Sequence, residues 1–198
     1  MRLRYSLTSP FARKARLAAA VLGLPLELEL ADTLNPDDTL RRQNPLGKIP
    51  TLLTEDGDCL YDSRVILAYL DMVAGGGKLI PLEPKARIAA MKAEALADGL
   101  MDAGVLVLYE GRFRPEEKHD AKWLAHQRDK MARALEALEA APPAADGPIS
   151  AADITLACAL GFLDFRFGGE WRAAHPRLVA WQTAFAARCP SFEETAPH

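Results

Sequence analysis

The residues of this chain whose types and spacing best fit chemistry are the run Asn44-Pro45-Leu46-Gly47-Lys48-Ile49-Pro50-Thr51-Leu52 and the pair Asp62-Ser63. Pro50 stands where a strand should begin. Proline has no N–H to give to a ladder, so it belongs at a strand's first position, on an edge or at a bulge. An Ile-Pro bond is open to the cis form at an intrinsic cost of about 0.5–1 kcal/mol. A cis bond would turn the backbone of Ile49 outward, leaving its N–H and C=O to pair with an extended peptide by strand addition. Asp62-Ser63 then opens a helix, and a hydroxyl beside unpaired N–H groups is a ready anion site. A peptide clamp next to a carboxylate site points to a small acidic peptide as the ligand.

The elements that must position these residues follow from hydropathy. Residues 2–7 alternate as a short strand. Residues 10–22 form a helix with Leu17, Ala20, Val21 and Leu24 on one face and Gly23 as its stop. Ser9 and Pro10 occupy the N-cap and first position of that helix. Leu26, Leu28 and Leu30 alternate with Glu27 and Glu29 as a second strand. Asn35-Pro36 starts a short helix ending near Asn44. Thr51–Thr54 and Cys59–Tyr61 are strands joined by Glu55-Asp56-Gly57-Asp58, and a helix runs from Ser63 to Val73. The order is βαβαββα. After Gly75-Gly76-Gly77, Pro81 and Pro84 the strand pattern stops. Helices follow at 85–110, 115–140, 151–167 and 176–187. The expected organisation is an α/β unit over 1–75, a linker over 76–84 and an all-α unit over 85–198.

Bulk properties exclude several function classes. The chain has 198 residues, 49% apolar and 26% charged, as in ordinary soluble globular proteins. A net charge of −3 favours neither nucleic acid nor an anionic membrane as partner. Cys59, Cys158 and Cys189 lie far apart with no Cys-x-x-Cys, so neither a zinc site nor a disulfide framework is expected. Free cysteines fit a reducing compartment. Arg2 and Arg4 precede only short apolar stretches broken by Ser6 and Pro10, which is not a signal peptide, and no apolar run reaches the length of a membrane span. A cytoplasmic location is expected.

A βαβαββα unit followed by helices resembles the glutathione transferase family, through particular residues. Ser9-Pro10-Phe11-x-x-Lys14 resembles the family's first-helix active-site motif. Asn44-Pro45-x-Gly47-Lys48-Ile49-Pro50 resembles its cis-proline motif, and Asp62-Ser63 the acidic-Ser pair that holds the γ-glutamyl end of glutathione. Ser150-x-x-Asp153-Ile154 resembles its buried capping motif. Ala97–Ala103 and Ala157–Gly161 further resemble a bacterial, YibF-like branch. The fold so implied is a thioredoxin-like α/β N-terminal domain with an all-α C-terminal domain.

The resemblance implies that the Ser9 hydroxyl donates to the glutathione sulfur and favours the thiolate. A thiol of pKa about 8.5 must fall by about two units, roughly 2.7 kcal/mol, to be mostly ionised at pH 7. A hydrogen bond to a charged group supplies about 1.5–3 kcal/mol, and the helix dipole adds about 0.3–1 kcal/mol. One hydroxyl at a helix N-terminus therefore suffices. The plain alternative is an N-cap, and Thr8 is the nearest rival hydroxyl; Tyr5 falls within the strand. Family classes with thiol-transfer activity carry cysteine where Ser9 stands, which argues against a mixed-disulfide mechanism here.

The remaining motifs each have a structural alternative. Lys48 is placed to pair with the glycyl carboxylate as a flexible point charge, or is a surface lysine. Asp62-Ser63 can bind the γ-glutamyl end while serving as an N-cap pair. Ser150-x-x-Asp153 reads as a structural capping box. Asp98 and Asp102 share a helix face; in some family classes an acidic residue there reaches the partner subunit's glutathione. Phe11, Met101, Val105 and Tyr109 are candidates for an apolar wall facing the second substrate. Trp123, Trp171 and Trp181 read as helix-packing residues. The resemblance thus implies a homodimer that binds glutathione as co-substrate among Ser9, Phe11, Lys48, Ile49, Pro50, Asp62 and Ser63. Its thiolate would attack a small hydrophobic electrophile without a metal. The same fold also serves non-catalytic binding modules and glutathione-dependent isomerases, dehalogenases and peroxidases.

Overall fold

Local chemistry sets the first element boundaries. In the computed structural model, which describes residues 1–197, Ser9 caps the first helix and Pro10 takes its first position. The elements are β1 (Arg2–Tyr5), α1 (Pro10–Leu22), β2 (Glu27–Leu30), α2 (Leu40–Gln43), β3 (Thr51–Leu53), β4 (Cys59–Leu60) and α3 (Ser63–Val73). They continue with α4 (Pro84–Phe113), α5 (Ala121–Ala140), α6 (Ala151–Phe167), α7 (Pro176–Arg188) and α8 (Ser191–Glu194). The sheet order is β2-β1-β3-β4, with β1 parallel to β2 and antiparallel to β3, and β3 antiparallel to β4.

Leu3 and Leu52 sit on the buried side of the sheet against Ile66, Leu67 and Leu70 of α3 and Ala15 and Leu17 of α1. The same core continues into Leu100 and Met101 of α4 and Ile154, Leu156 and Leu160 of α6. α6 is buried at every position from Ala151 to Leu163, as a helix segment apolar on every side must be, and opens to solvent only in its last turn. Its start carries the capping box read from the sequence: Ser150 Oγ accepts from Asp153 N, and the Asp153 carboxylate accepts from Ser150 N. Asp71, buried near the end of α3, accepts from the N–H groups of Gly77, Lys78 and Leu79 and so fixes the path out of the glycine run.

Several expectations need correction. The first strand ends at Tyr5, since the chain must turn before the Ser9 cap. On the edge strand β2, Leu28 and Leu30 face solvent, while Glu29 turns toward Arg2 and Arg4, so ion pairs rather than apolar burial set its register. Residues 35–38 are turns, with Asn35 Oδ1 accepting from Asp37 N, and the short helix begins only at Leu40. The helix expected from residue 115 starts at Ala121, where Asp120 caps it. Trp123 is exposed, unlike Trp171 and Trp181, which pack as expected. The turn of helix α8 had no counterpart in the sequence reading.

Candidate functional site

The sheet register brings the chemistry-bearing runs to one end of the fold. Arg4 pairs with Thr51 and Leu52 with Leu60. Continuing both registers by one or two residues sets Pro50 between Tyr5, which leads to Ser9, and Asp62, which leads to Ser63. The Ile49–Pro50 peptide bond is cis, as is Tyr61–Asp62.

The loop before Pro50 is shaped by Asn44, which the sequence reading placed in the motif without giving it a role. Asn44 is buried; its Nδ2 donates to the Lys48 carbonyl (3.0 Å) and to Thr51 Oγ1 (3.2 Å), and its Oδ1 accepts from Leu46 N (3.0 Å). Thr51 Oγ1 also donates to the Lys48 carbonyl, at 3.0 Å. With Lys48 so fixed, the N–H and C=O of Ile49 make no hydrogen bond among the described residues. Pro50 is buried, Ile49 half-buried, and the Lys48 side chain is exposed.

Two helix N-termini complete this side. Ser9 Oγ accepts from Ala12 N at 3.2 Å, which leaves its own hydrogen available to a further acceptor. Asp62 caps α3 by accepting from Arg64 N (3.0 Å), its side chain otherwise exposed. Ser63, only 2% exposed, has a hydroxyl with no hydrogen bond among the described residues. Phe11 packs on the core from a half-buried position and lines neither of the cavities described below.

Behind these groups lies a buried charge cluster. Lys14, fully buried on α1, meets Glu94 Oε1 at 2.7 Å and Asp98 Oδ1 at 3.0 Å on α4. Arg64 joins Asp98 (3.5 Å) to Asp62 (3.4 Å), tying the start of α3 to α4. Burial holds the Asp98 carboxyl above the usual carboxylate range despite Lys14. Asp98 is therefore engaged within its own chain. Asp102 is more open, and burial pushes its carboxyl up against the pull of Arg64 and Lys48.

The other side of Ser9 is apolar. A cavity of about 10 Å³ is lined by Leu7, Thr8, Ser9, Cys158, Phe162 and Phe165, among others. Gly104 makes room for Phe162 there, since a Cβ on it would lie 2.6 Å from that ring. Burial pushes the Cys158 thiol up to about 11, which leaves it an inert wall rather than a nucleophile. Met101 is core, contrary to its reading as a wall residue; Val105 packs on the core and Tyr109 lies edge-on to Phe113. The actual lining from α6 escaped the sequence reading, because a helix buried on every face gives no periodic signal.

A four-stranded mixed sheet with helices packed on it, leading into an all-α region, defines a thioredoxin-like unit coupled to a helical unit. The chain belongs to the glutathione S-transferase family. Residues 8–73 match the family's N-terminal domain and residues 121–182 its C-terminal domain. Over the whole chain and 98% of the relative, it is 36% identical to the uncharacterized GST-like protein YibF of Escherichia coli strain K12. It is 44% identical to a family member from Pseudomonas fluorescens Pf-5 solved with bound glutathione, with a TM-score of 0.92 over 100% of this chain and 98% of that one. A Pseudomonas structure with bound S-(propanoic acid)-glutathione is also 44% identical and gives 0.89 over the full length of both chains. Among the described residues no helix is long and apolar enough to cross a membrane.

Proposed function

We propose that this protein binds glutathione at the sheet end formed by Ser9, Lys48, Ile49, Pro50, Asp62 and Ser63, and activates its thiol. The observation that carries the reading is the set of unpartnered groups there. Ile49 offers a backbone N–H and C=O, and Ser63 a hydroxyl, with no hydrogen bond among the described residues, beside a Ser9 hydroxyl with its hydrogen to give. An extended tripeptide satisfies all three: main chain on Ile49, α-carboxylate on Ser63 and the α3 N-terminus, sulfur on Ser9. Lys48 meets the glycyl carboxylate. Glutathione bound to the Pseudomonas relatives supports the same ligand here.

The reaction is attack of the thiolate on a small hydrophobic electrophile. The sulfur forms the new S–C bond, the leaving group departs with its bonding pair, and the thiol proton passes to solvent. Ser9 lowers the cost of the thiolate and the helix N-terminus assists. Calorimetric titration tests the binding step. Wild-type protein is expected to bind glutathione, and Ser63→Ala to weaken binding by about 0.5–1.5 kcal/mol, roughly 2–10-fold; no binding at millimolar glutathione would reject the reading.

The assembly proposed is a homodimer. Val65 and Met72 lie one heptad apart on α3, and Ile88 and Met91 one turn apart on α4; all four are exposed. Such apolar surface fits a partner subunit better than solvent. Light scattering should give twice the chain mass; a monomer would contradict the dimer.

A further inference from the structure

Next to the small cavity beside Ser9 lies a larger one, of about 530 Å³, between α6, α7 and the C-terminal residues. The two share Arg13, Phe165 and Pro197, so they adjoin across those three side chains. The cavity at Ser9 has room for about one water, too little for an electrophile beyond its reacting carbon. The larger one is of the size that takes a drug-sized ligand. Besides Arg13, its polar lining is Asp164, Arg172, Gln182, Thr183 and Glu193.

Arg13 is the charged group common to both cavities. It is 4% exposed and lies one helical turn beyond Ser9 on α1. It reaches past α6 only because residue 161 is glycine: a Cβ there would stand 2.4 Å from its Nη1. Its described partners are neutral. Nη2 donates to the Phe192 carbonyl at 2.6 Å, Nε to Thr195 Oγ1 at 3.5 Å, and the guanidinium stacks on the Phe192 ring. Among the described residues it makes no ion pair, and Asp164 and Glu193 act on it only at a distance. Arg172, by contrast, is neutralised by Asp164 at 2.7 Å. A desolvated guanidinium without a carboxylate partner is an uncompensated positive charge, and burial pushes its pKa down accordingly.

We propose that the electrophile carries a carboxylate, which Arg13 binds from the larger cavity while the reacting carbon lies in the small one beside Ser9. The inference rests on the glutathione reading of that site. It makes Arg13 a specificity determinant: the carboxylate supplies the counter-charge that the fold withholds, and an arginine fork is suited to that group.

The test compares two ready-made thioethers, S-benzylglutathione and S-(4-carboxybenzyl)glutathione, by calorimetric titration of the full chain. The carboxylate compound is expected to bind about tenfold or more tightly, the worth of a charge-assisted hydrogen bond. In wild-type protein the uncharged isostere S-(4-carbamoylbenzyl)glutathione should lack most of that advantage. Arg13→Gln should abolish the advantage and Arg13→Lys should keep part of it. Because the carboxamide comparison needs no variant, a failure of Arg13→Gln to fold leaves the claim open to refutation. Equal or weaker binding of the carboxylate compound overturns the proposal and leaves the glutathione site standing. An advantage shared by the carboxamide and kept by Arg13→Gln overturns the role of Arg13. If neither compound nor glutathione itself binds, the underlying site fails and the inference with it.

Discussion

The side proposed to hold the peptide and the cavity side beyond Ser9 are put together differently. On the peptide side, each working group comes from a short run: Ser9-Pro10, Asn44 to Thr51, and Asp62-Ser63. Hydrogen bonds within each run, such as Asn44 to Lys48 and Asp62 to Arg64, hold it in shape. On the cavity side, Leu7, Arg13, Phe162, Phe165 and Pro197 come from a loop, two helices and the chain's end, and only tertiary packing brings them together. Local assembly suits a fixed ligand shared across a family. Assembly from distant parts lets acceptor specificity vary without disturbing the peptide site.

Lys14 is the strongest point at which to break this comparison, because it ties α1 of the peptide side to α4. Lys14→Met would leave Glu94 and Asp98 buried and without that cation. The expected loss is about 3–5 kcal/mol in urea unfolding, the usual cost of removing one partner of a buried ion pair. A loss under about 1 kcal/mol would show the two sides to be held together by apolar packing alone.

A smaller effect should stay on the cavity side. Burial pushes the Asp164 carboxyl up, but hydrogen bonds from Arg172, Gln182 and Trp171 outweigh it and hold the group below the usual range. A lowered folded pKa contributes stability above the unfolded value of about 3.9, lost as pH falls through the folded value. Asp164→Asn should therefore cost about 1.5–3 kcal/mol at neutral pH. The gap to wild type should close below about pH 4 in acid unfolding curves. Glutathione affinity should be unchanged; a change would mean the two sides are coupled.

The same contrast explains what the sequence disclosed. The fold class, the Ser9 cap, the Ser150–Asp153 box and the turn into Pro50 were legible because each is a local pattern with a local cause. The cavity side was not. Met101 and Phe162 both sit on apolar helices, and hydropathy alone does not say which meets a cavity. Arg13 does not stand out in the sequence, since nothing nearby announces that Gly161 admits it to the interior. Alternation also disclosed strand β2, but that Leu28 and Leu30 face solvent while Glu29 pairs with Arg2 and Arg4 is a fact of tertiary structure.

The claim on which the rest depends is that Ser9 stabilises a glutathione thiolate. Its most direct test is a pH titration of thiolate ultraviolet absorbance in the glutathione complex of wild-type protein and of Ser9→Ala. The wild-type midpoint should lie about two units below the free value of about 8.5, and that of Ser9→Ala should return by about one to two units. An unshifted midpoint in the wild type, or one that Ser9→Ala leaves in place, would contradict the account.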